Sequence, residues 1–305
     1  MTLFTIETAQ QEEHAAALWL AFQHLGEEEG GNRIANALKL VSSGELDPAG
    51  ILVIRDGGQL EGALVISPLA GAGGLIWPPH VREGPQRSAK ETELVQTGLA
   101  WLRSRGAKVV QAVLHGEEVP LAQSLVRNGF IHVTRLRYLR HDLPAPVSVL
   151  ANLAVQTYSS ADRGLFHEVL LRTYQGTLDC PELNGLRTIE EIIEGHQAQG
   201  EFKPERWWLA FDGKKAVGVL LTAANPEVQS WDISYVGVVP EARRGGWGRR
   251  LIQLAIAEAR TAGASHLTVG VDARNHPAWN LYTALGFEPT GGREVFLFFW
   301  QARGT

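Results

Sequence analysis

Residues 238 to 249 read Val-Val-Pro-Glu-Ala-Arg-Arg-Gly-Gly-Trp-Gly-Arg. Pro240 stops sheet pairing, and a glycine-rich turn runs straight into a long helical pattern. The first amides of a helix have no acceptor within it, and the helix dipole adds positive charge there, so the junction attracts anions. Gly245, Gly246 and Gly248 have no side chain to keep a phosphate from those amides. Arg243, Arg244 and Arg249 supply charge-assisted donors around the same point. The chemistry predicted here is phosphate binding. No Gly-Lys-Ser/Thr occurs, which excludes a P-loop. A dinucleotide fingerprint would need a third glycine where Leu251 stands, and that excludes a Rossmann site.

The elements that must position this loop recur twice. Asp56-Gly57 and Gly62 punctuate two apolar runs, as Asp212-Gly213 and Gly218 do about 156 residues later. Gly106-Ala107 pairs with Gly263-Ala264, and Gly129-Phe130 with Gly286-Phe287, at about the same offset. The pattern implies duplication. The linker is expected at Asp142-Leu143-Pro144-Ala145-Pro146, giving domains 1–142 and 148–305 with a boundary near residue 145. Each half reads as strand, two helices, three strands, helix, strand, helix and terminal strands. In the second half the strands fall at 153–158, 207–211, 216–224, 231–239 and 266–271. Its helices fall at 161–174, 188–197, 246–262 and from Pro277 to before Gly286. This order predicts an α/β (α+β) fold, a mixed sheet covered by helices in each domain.

Arg243-x-x-Gly246-x-Gly248 after a Val-x-Pro strand end resembles the acetyl-CoA loop of the GNAT superfamily of N-acetyltransferases. Asn275, Ala278, Leu281-Tyr282 and Leu285-Gly286-Phe287 are similar to that superfamily's second signature. The resemblance implies two tandem GNAT-like domains with acetyl-CoA as cosubstrate of the second. It places the pantetheine amides on the exposed backbone of Val236, Val238 and Val239, where the strand splays from its neighbour. It places the pyrophosphate on the amides from Arg244 through Gly245, Gly246, Trp247 and Gly248 to Arg249, with Arg243 in the same motif. Asn275 would sit near the cofactor arm, and the Val238 amide would serve a tetrahedral oxyanion.

An amine must lose a proton before it attacks a thioester. Asp232 is the only carboxylate on the strand before the loop, shares a face with Ser234 and Val236 by period-two alternation, and is the expected base, with Glu241 as fallback. Tyr282 shares a helix face with Ala278, Leu281 and Leu285. At the family position it is the expected acid for the leaving thiolate, as well as a cofactor contact. Transfer would be direct, without an acyl-enzyme. Cys180 has no paired histidine nearby in sequence and reads as a filler or substrate-loop residue. Asp179 and Glu182 read either as solvated loop carboxylates or as attractors of a cationic acceptor. The expected activity is acetyl transfer to an amine on a small molecule or peptide. The alternatives are another acyl-CoA, a non-amine acceptor, or a non-catalytic acyl-CoA sensor.

Mapped back onto the first half, Gly246 and Gly248 fall near Ala89–Lys90 and Glu91–Thr92, Asp232 near Leu75–Ile76, and Tyr282 on Leu125. That half reads as a degenerate copy. The chain has 305 residues, enough for about two domains, and a net charge of −5, so it carries no overall drive toward nucleic acid or anionic membrane. Its single cysteine excludes an intrachain disulfide and any multi-cysteine metal site, and no metal is expected. Apolar stretches such as 216–224 are too short to cross a bilayer. The start, residues 1–11, has no secretory pattern, so a cytoplasmic protein is expected, as monomer or homodimer.

Overall fold

The computed structural model describes residues 4–143 and 153–300. They pack as two units: residues up to Val133 together with those from Glu294 onward, and Thr134–Arg293.

The first unit comprises β1 (Phe4–Thr8), α1 (His14–Phe22), α2 (Glu27–Ser43), β2 (Ile51–Asp56), β3 (Gln59–Leu69), β4 (Gly73–Ile76), β5 (His80–Val81), α3 (Arg87–Ser104), β6 (Val109–Leu114) and α4 (Gln123–Arg127). The expected Asp-Gly hairpin joins β2 to β3 through Gly57 and Gly58, both at positive φ (57° and 83°), as a tight two-residue turn requires. The sheet runs β1-β2-β3-β4-β6 and ends on residues 294–299, which pair antiparallel with β6. Helix α3 follows a turn closed by Arg87 N donating to Gly84 O (3.2 Å) and has no glycine in its first turns. Near its start the buried Glu91 carboxylate accepts from Arg87 Nε (2.9 Å) and Arg127 Nη2 (2.5 Å).

The second unit begins within β7 (Ile131–His141). It continues with β8 (Ala154–Thr157), α5 (Arg163–Thr173), α6 (Ile189–Gln197), β9 (Trp207–Asp212), β10 (Lys215–Asn225), β11 (Ser230–Val238), α7 (Trp247–Thr261), β12 (His266–Asp272), α8 (His276–Thr283) and the first residues of β13 (Glu288–Phe299). Strand order is β13-β7-β12-β11-β10-β9-β8, with β11 and β12 parallel. Local signals explain the helix starts. The Asp162 carboxylate accepts the Gly164 and Leu165 amides, and Thr188 with Glu191 forms a capping box. Apolar residues from β9, β10, β11, β12, α5 and α7, among them Trp207, Leu220, Ile233, Phe166, Leu251 and Val269, form one buried core. The element order is the one expected, a mixed α/β fold in both units.

The units differ from the linear division at residue 145 in one respect. Residues 136–141, which precede the expected linker, pair antiparallel with β12 and bury Leu139 in the second unit's core. Residues 294–299 pair with β6 and bury Phe296 in a core of the first. The reason is the sheet edge: β12 and β6 each need an antiparallel partner, and each takes one from the other half of the sequence. Pro144, Ala145 and Pro146 of the expected linker lie outside the described residues.

Thr134 anchors β7 within the second unit, its Oγ1 donating to Asp272 Oδ1 at 2.6 Å between two buried groups. Burial opposes ionisation of Asp272. Hydrogen bonds from Arg274, Thr134 and the Cys180 and Arg274 amides outweigh it and bring the pKa down to about 2. A depressed carboxylate stabilises above its unfolded value of about 3.9, and that contribution is lost as pH falls through about 2. Thr134→Val should lower stability by about 1–3 kcal/mol at neutral pH and move the acid loss to higher pH. Urea unfolding measured from pH 7 to pH 2 tests this, and coincident curves would show that the bond supports nothing.

Candidate active site

The second unit's cleft arises where two parallel strands part. β11 pairs with β12 only from Ser230↔His266 to Ile233↔Val269. β11 stays on β10 as far as Val238↔Gly218, and the Val239 amide then donates to Val217 O at 3.0 Å. Successive residues of a strand present their N–H and C=O groups to opposite edges. With Val239 turned to β10, Val236 and Val238 turn their polar groups to the edge that β12 has left. The Val238 carbonyl accepts from Arg243 Nε at 3.1 Å, leaving its amide toward the gap. The cleft has a volume of about 760 Å³ and is walled by Tyr235 to Val238, the loop before α7, the start of α8 and residues 176–179. That size suits a ligand site.

At the head of α7 the backbone is bent into the left-handed region at Arg244 (φ 67°) and at Gly246 (φ 80°), the residue preceding the helix. Gly245 N donates to Ala242 O at 3.3 Å, and Arg250 N to Gly246 O. Among the described residues, the amides of Arg244, Gly246, Trp247, Gly248 and Arg249 find no acceptor. Side chains of Arg244 and Arg249 are exposed beside them and form no ion pair among the described residues. Arg250 lies over the Trp247 ring, 4.9 Å from its centroid. Arg243 is placed differently from its neighbours. Its guanidinium donates to the carbonyls of Thr173, Gln175 and Gly176 at 3.1, 2.6 and 3.2 Å, so it closes the C-terminal end of α5 and ties it to the loop.

Tyr282 is buried at 3% exposure yet lines the cleft, and its hydroxyl has no hydrogen-bond partner among the described residues. Burial raises its pKa, with the charge of Asp179 adding to the effect, so it holds its proton in the neutral range. Asn275 lines the cleft and caps α8, its Oδ1 accepting the Ala278 amide at 3.1 Å. Val239 is fully buried and lies outside the cleft wall. Asp232 also lies outside it: its half-buried carboxylate accepts from Thr268 Oγ1 at 2.8 Å, and burial raises its pKa. A bulge explains the displacement, because Thr222 faces Ile233 while Leu221 faces Tyr235, leaving Ser234 extra. Period-two alternation therefore breaks between Asp232 and Val236. Glu241 is exposed and ion-paired with Arg172.

Sequence reasoning missed what closes the other wall. Residues 179–182 are clasped to the turn between β12 and α8. Asp179 accepts from the Asp272 amide (2.9 Å) and from Asn275 Nδ2 (2.6 Å), and Cys180 N donates to Asp272 Oδ2 (3.0 Å). Arg274 joins Glu182 (2.7 and 3.0 Å) to Asp272 (2.7 Å). Burial together with the charges of Asp272 and Asp179 pushes the Cys180 thiol up to about 12, unlike an activated nucleophile. Tyr235 is the other residue not foreseen. It lines the cleft and bonds to Thr173 Oγ1 at 2.9 Å, while Gly237 leaves the room that Thr173 needs, since a Cβ there would come within 2.6 Å of it.

Residues 173–287 match the model of the acetyltransferase (GNAT) family, the region that holds the parted strands, the loop and Tyr282. That region of the second unit is similar to the GNAT family. The chain is 27% identical over 241 residues to a mycothiol acetyltransferase of Thermomonospora curvata, covering 77% of this chain and 78% of that one. A protein of the same name from Thermobispora bispora is 26% identical, covering 88% and 90%. Among solved structures, a GCN5-related N-acetyltransferase from Sphaerobacter thermophilus aligns over 98% of this chain and 96% of its own (TM-score 0.64, 18% identity). A tandem GNAT protein from the clavulanic acid biosynthesis pathway aligns over 97% and 98% (TM-score 0.50, 16% identity). The fold is thus two GNAT-like domains in tandem. Among the described residues, no helix is long and apolar enough to cross a membrane.

Gly246→Ala would force a side chain into the left-handed region at a cost of about 1–2 kcal/mol and rotate the amides of Trp247 and Gly248. Acetyl-CoA affinity measured by calorimetry should fall at least ~10-fold while the protein stays folded. An affinity within twofold of wild type would show that these amides do not matter to binding.

Proposed function

We propose that the second unit transfers an acetyl group from acetyl-CoA to an amine by direct attack. The observation that carries this reading is the run of acceptor-less amides from Arg244 to Arg249 at the end of a strand whose partner has parted from it. A diphosphate would satisfy those amides, with Arg244 and Arg249 alongside. The edge groups of Val236 and Val238 would take the pantetheine amides, and the Val238 amide would stabilise the oxyanion at the thioester carbon. As the C–S bond breaks, the Tyr282 hydroxyl would protonate the sulfur. Asp232, bonded to Thr268 away from the wall, would act as a proton acceptor only at one remove.

Relatives named mycothiol acetyltransferase put a mycothiol-related amine first among acceptors to assay. The first unit is read as a degenerate copy, since α3 opens with no glycine and a carboxylate, Glu91, stands near its start. Calorimetry should therefore give one acetyl-CoA per chain, and two would overturn the degenerate reading. In a thiol-release assay, Tyr282→Phe should lower kcat roughly 10²-fold with acetyl-CoA affinity little changed. Unchanged kcat would remove Tyr282 from the acid role, and saturable binding without release for any amine would favour a sensor.

A further inference from the structure

The cleft contains a carboxylate to which the transfer chemistry assigns no role. Among the described residues, Asp179 is the one acidic side chain in the cleft wall; Asp232 and Glu241 lie outside it. Asp179 is exposed and lines the cleft. Its position is nevertheless held on two sides, Oδ1 by the Asp272 amide at 2.9 Å and Oδ2 by Asn275 Nδ2 at 2.6 Å. A carboxylate offers about four lone-pair sites, so each oxygen keeps one for a ligand. Its charge reaches the hydroxyls of both Tyr282 and Tyr235, the two tyrosines of the wall.

We propose that Asp179 is the proton acceptor that converts the acceptor's ammonium into the attacking amine. This rests on the acetyl-transfer reading above. The ammonium docks on the free lone pairs of Asp179 and gives it one proton. The neutral nitrogen then attacks the thioester carbonyl carbon, the C–S bond breaks, and the second nitrogen proton replaces the one that Tyr282 delivers to the sulfur. Asp179 returns its proton to solvent. The products are an amide, a thiol and one released proton.

The charged and titratable groups around Asp179 fit a base. Partial burial raises its pKa and the nearby Asp272 charge adds to this, while the Asp272 amide, Asn275 and the Arg274 charge keep it in check. Tyr235 and Tyr282 face it as neutral phenols. Glu182 is neutralised by Arg274, and Cys180 keeps its proton. His276, also in the wall, stands exposed at the start of α8.

The test is thiol release from acetyl-CoA with two probe nucleophiles at neutral pH, n-butylamine, which is an ammonium ion, and hydroxylamine, which is already unprotonated. Asp179→Asn should lower kcat for butylamine roughly 10²-fold, hydroxylamine less than ~10-fold, and leave acetyl-CoA affinity within about threefold. Asn275→Ser breaks the same clasp bond but keeps the carboxylate, and should slow both nucleophiles alike. An equal loss for both nucleophiles in Asp179→Asn overturns the assignment. So does an effect confined to the KM of butylamine, or a butylamine-selective loss in Asn275→Ser. A wild-type protein that binds acetyl-CoA but releases no thiol with any amine overturns the transfer reading itself, a different result.

Discussion

The site depends on main-chain groups that the fold leaves without partners. A backbone amide without an acceptor is costly when shielded from water, and this protein concentrates several in one place. On one side, β12 parts from β11 after Ile233 and exposes a strand edge. On the other, α7 starts behind two left-handed residues, Arg244 and Gly246, so its first amides face the same gap. These open groups stay accessible to solvent, and a long ligand carrying amides and a diphosphate would match them group for group.

Such an opening closes unless the surrounding structure resists. Two polar ties do that. Arg243 fastens the loop to the carbonyl end of α5, where its charge also meets the negative end of the helix dipole. Asp272, without solvent exposure, gathers Thr134, Arg274 and the Cys180 amide, and so fastens the loop after α5 to the turn before α8. A buried carboxylate stands only with its partners in place, so the tie is stiff. It also orients Asn275 and Asp179 at the wall. This wall of the cleft is in this sense built by carboxylates that look, in sequence, like ordinary loop residues.

Much of this was legible from residue order. The glycine-rich junction, the Asp-Gly hairpins and the internal repeat all act locally, through backbone conformation and helix-end chemistry. Val236, Val238, Gly246, Gly248, Asn275 and Tyr282 lie together in the wall, whereas Val239, Gly245 and Asp232 do not line it. Three features were not local. The bulge at Ser234 depends on how β10 meets β11, so alternation aligned Asp232 with Val236 where the strand does not. Arg243 reads as one more cation in a basic loop until its carbonyl partners, some seventy residues earlier, are seen. The pairing of residues 136–141 with β12 and of 294–299 with β6 is a choice between equivalent edges of a duplicated fold, and neither strand's own sequence marks it.

The most direct measurement is a structure of the chain with CoA bound. Diphosphate oxygens should lie about 2.7–3.2 Å from the amide nitrogens of Gly246 and Gly248, with pantetheine running along Val236 to Val238. A diphosphate gripped by arginine side chains alone, or seated away from the head of α7, would contradict the account.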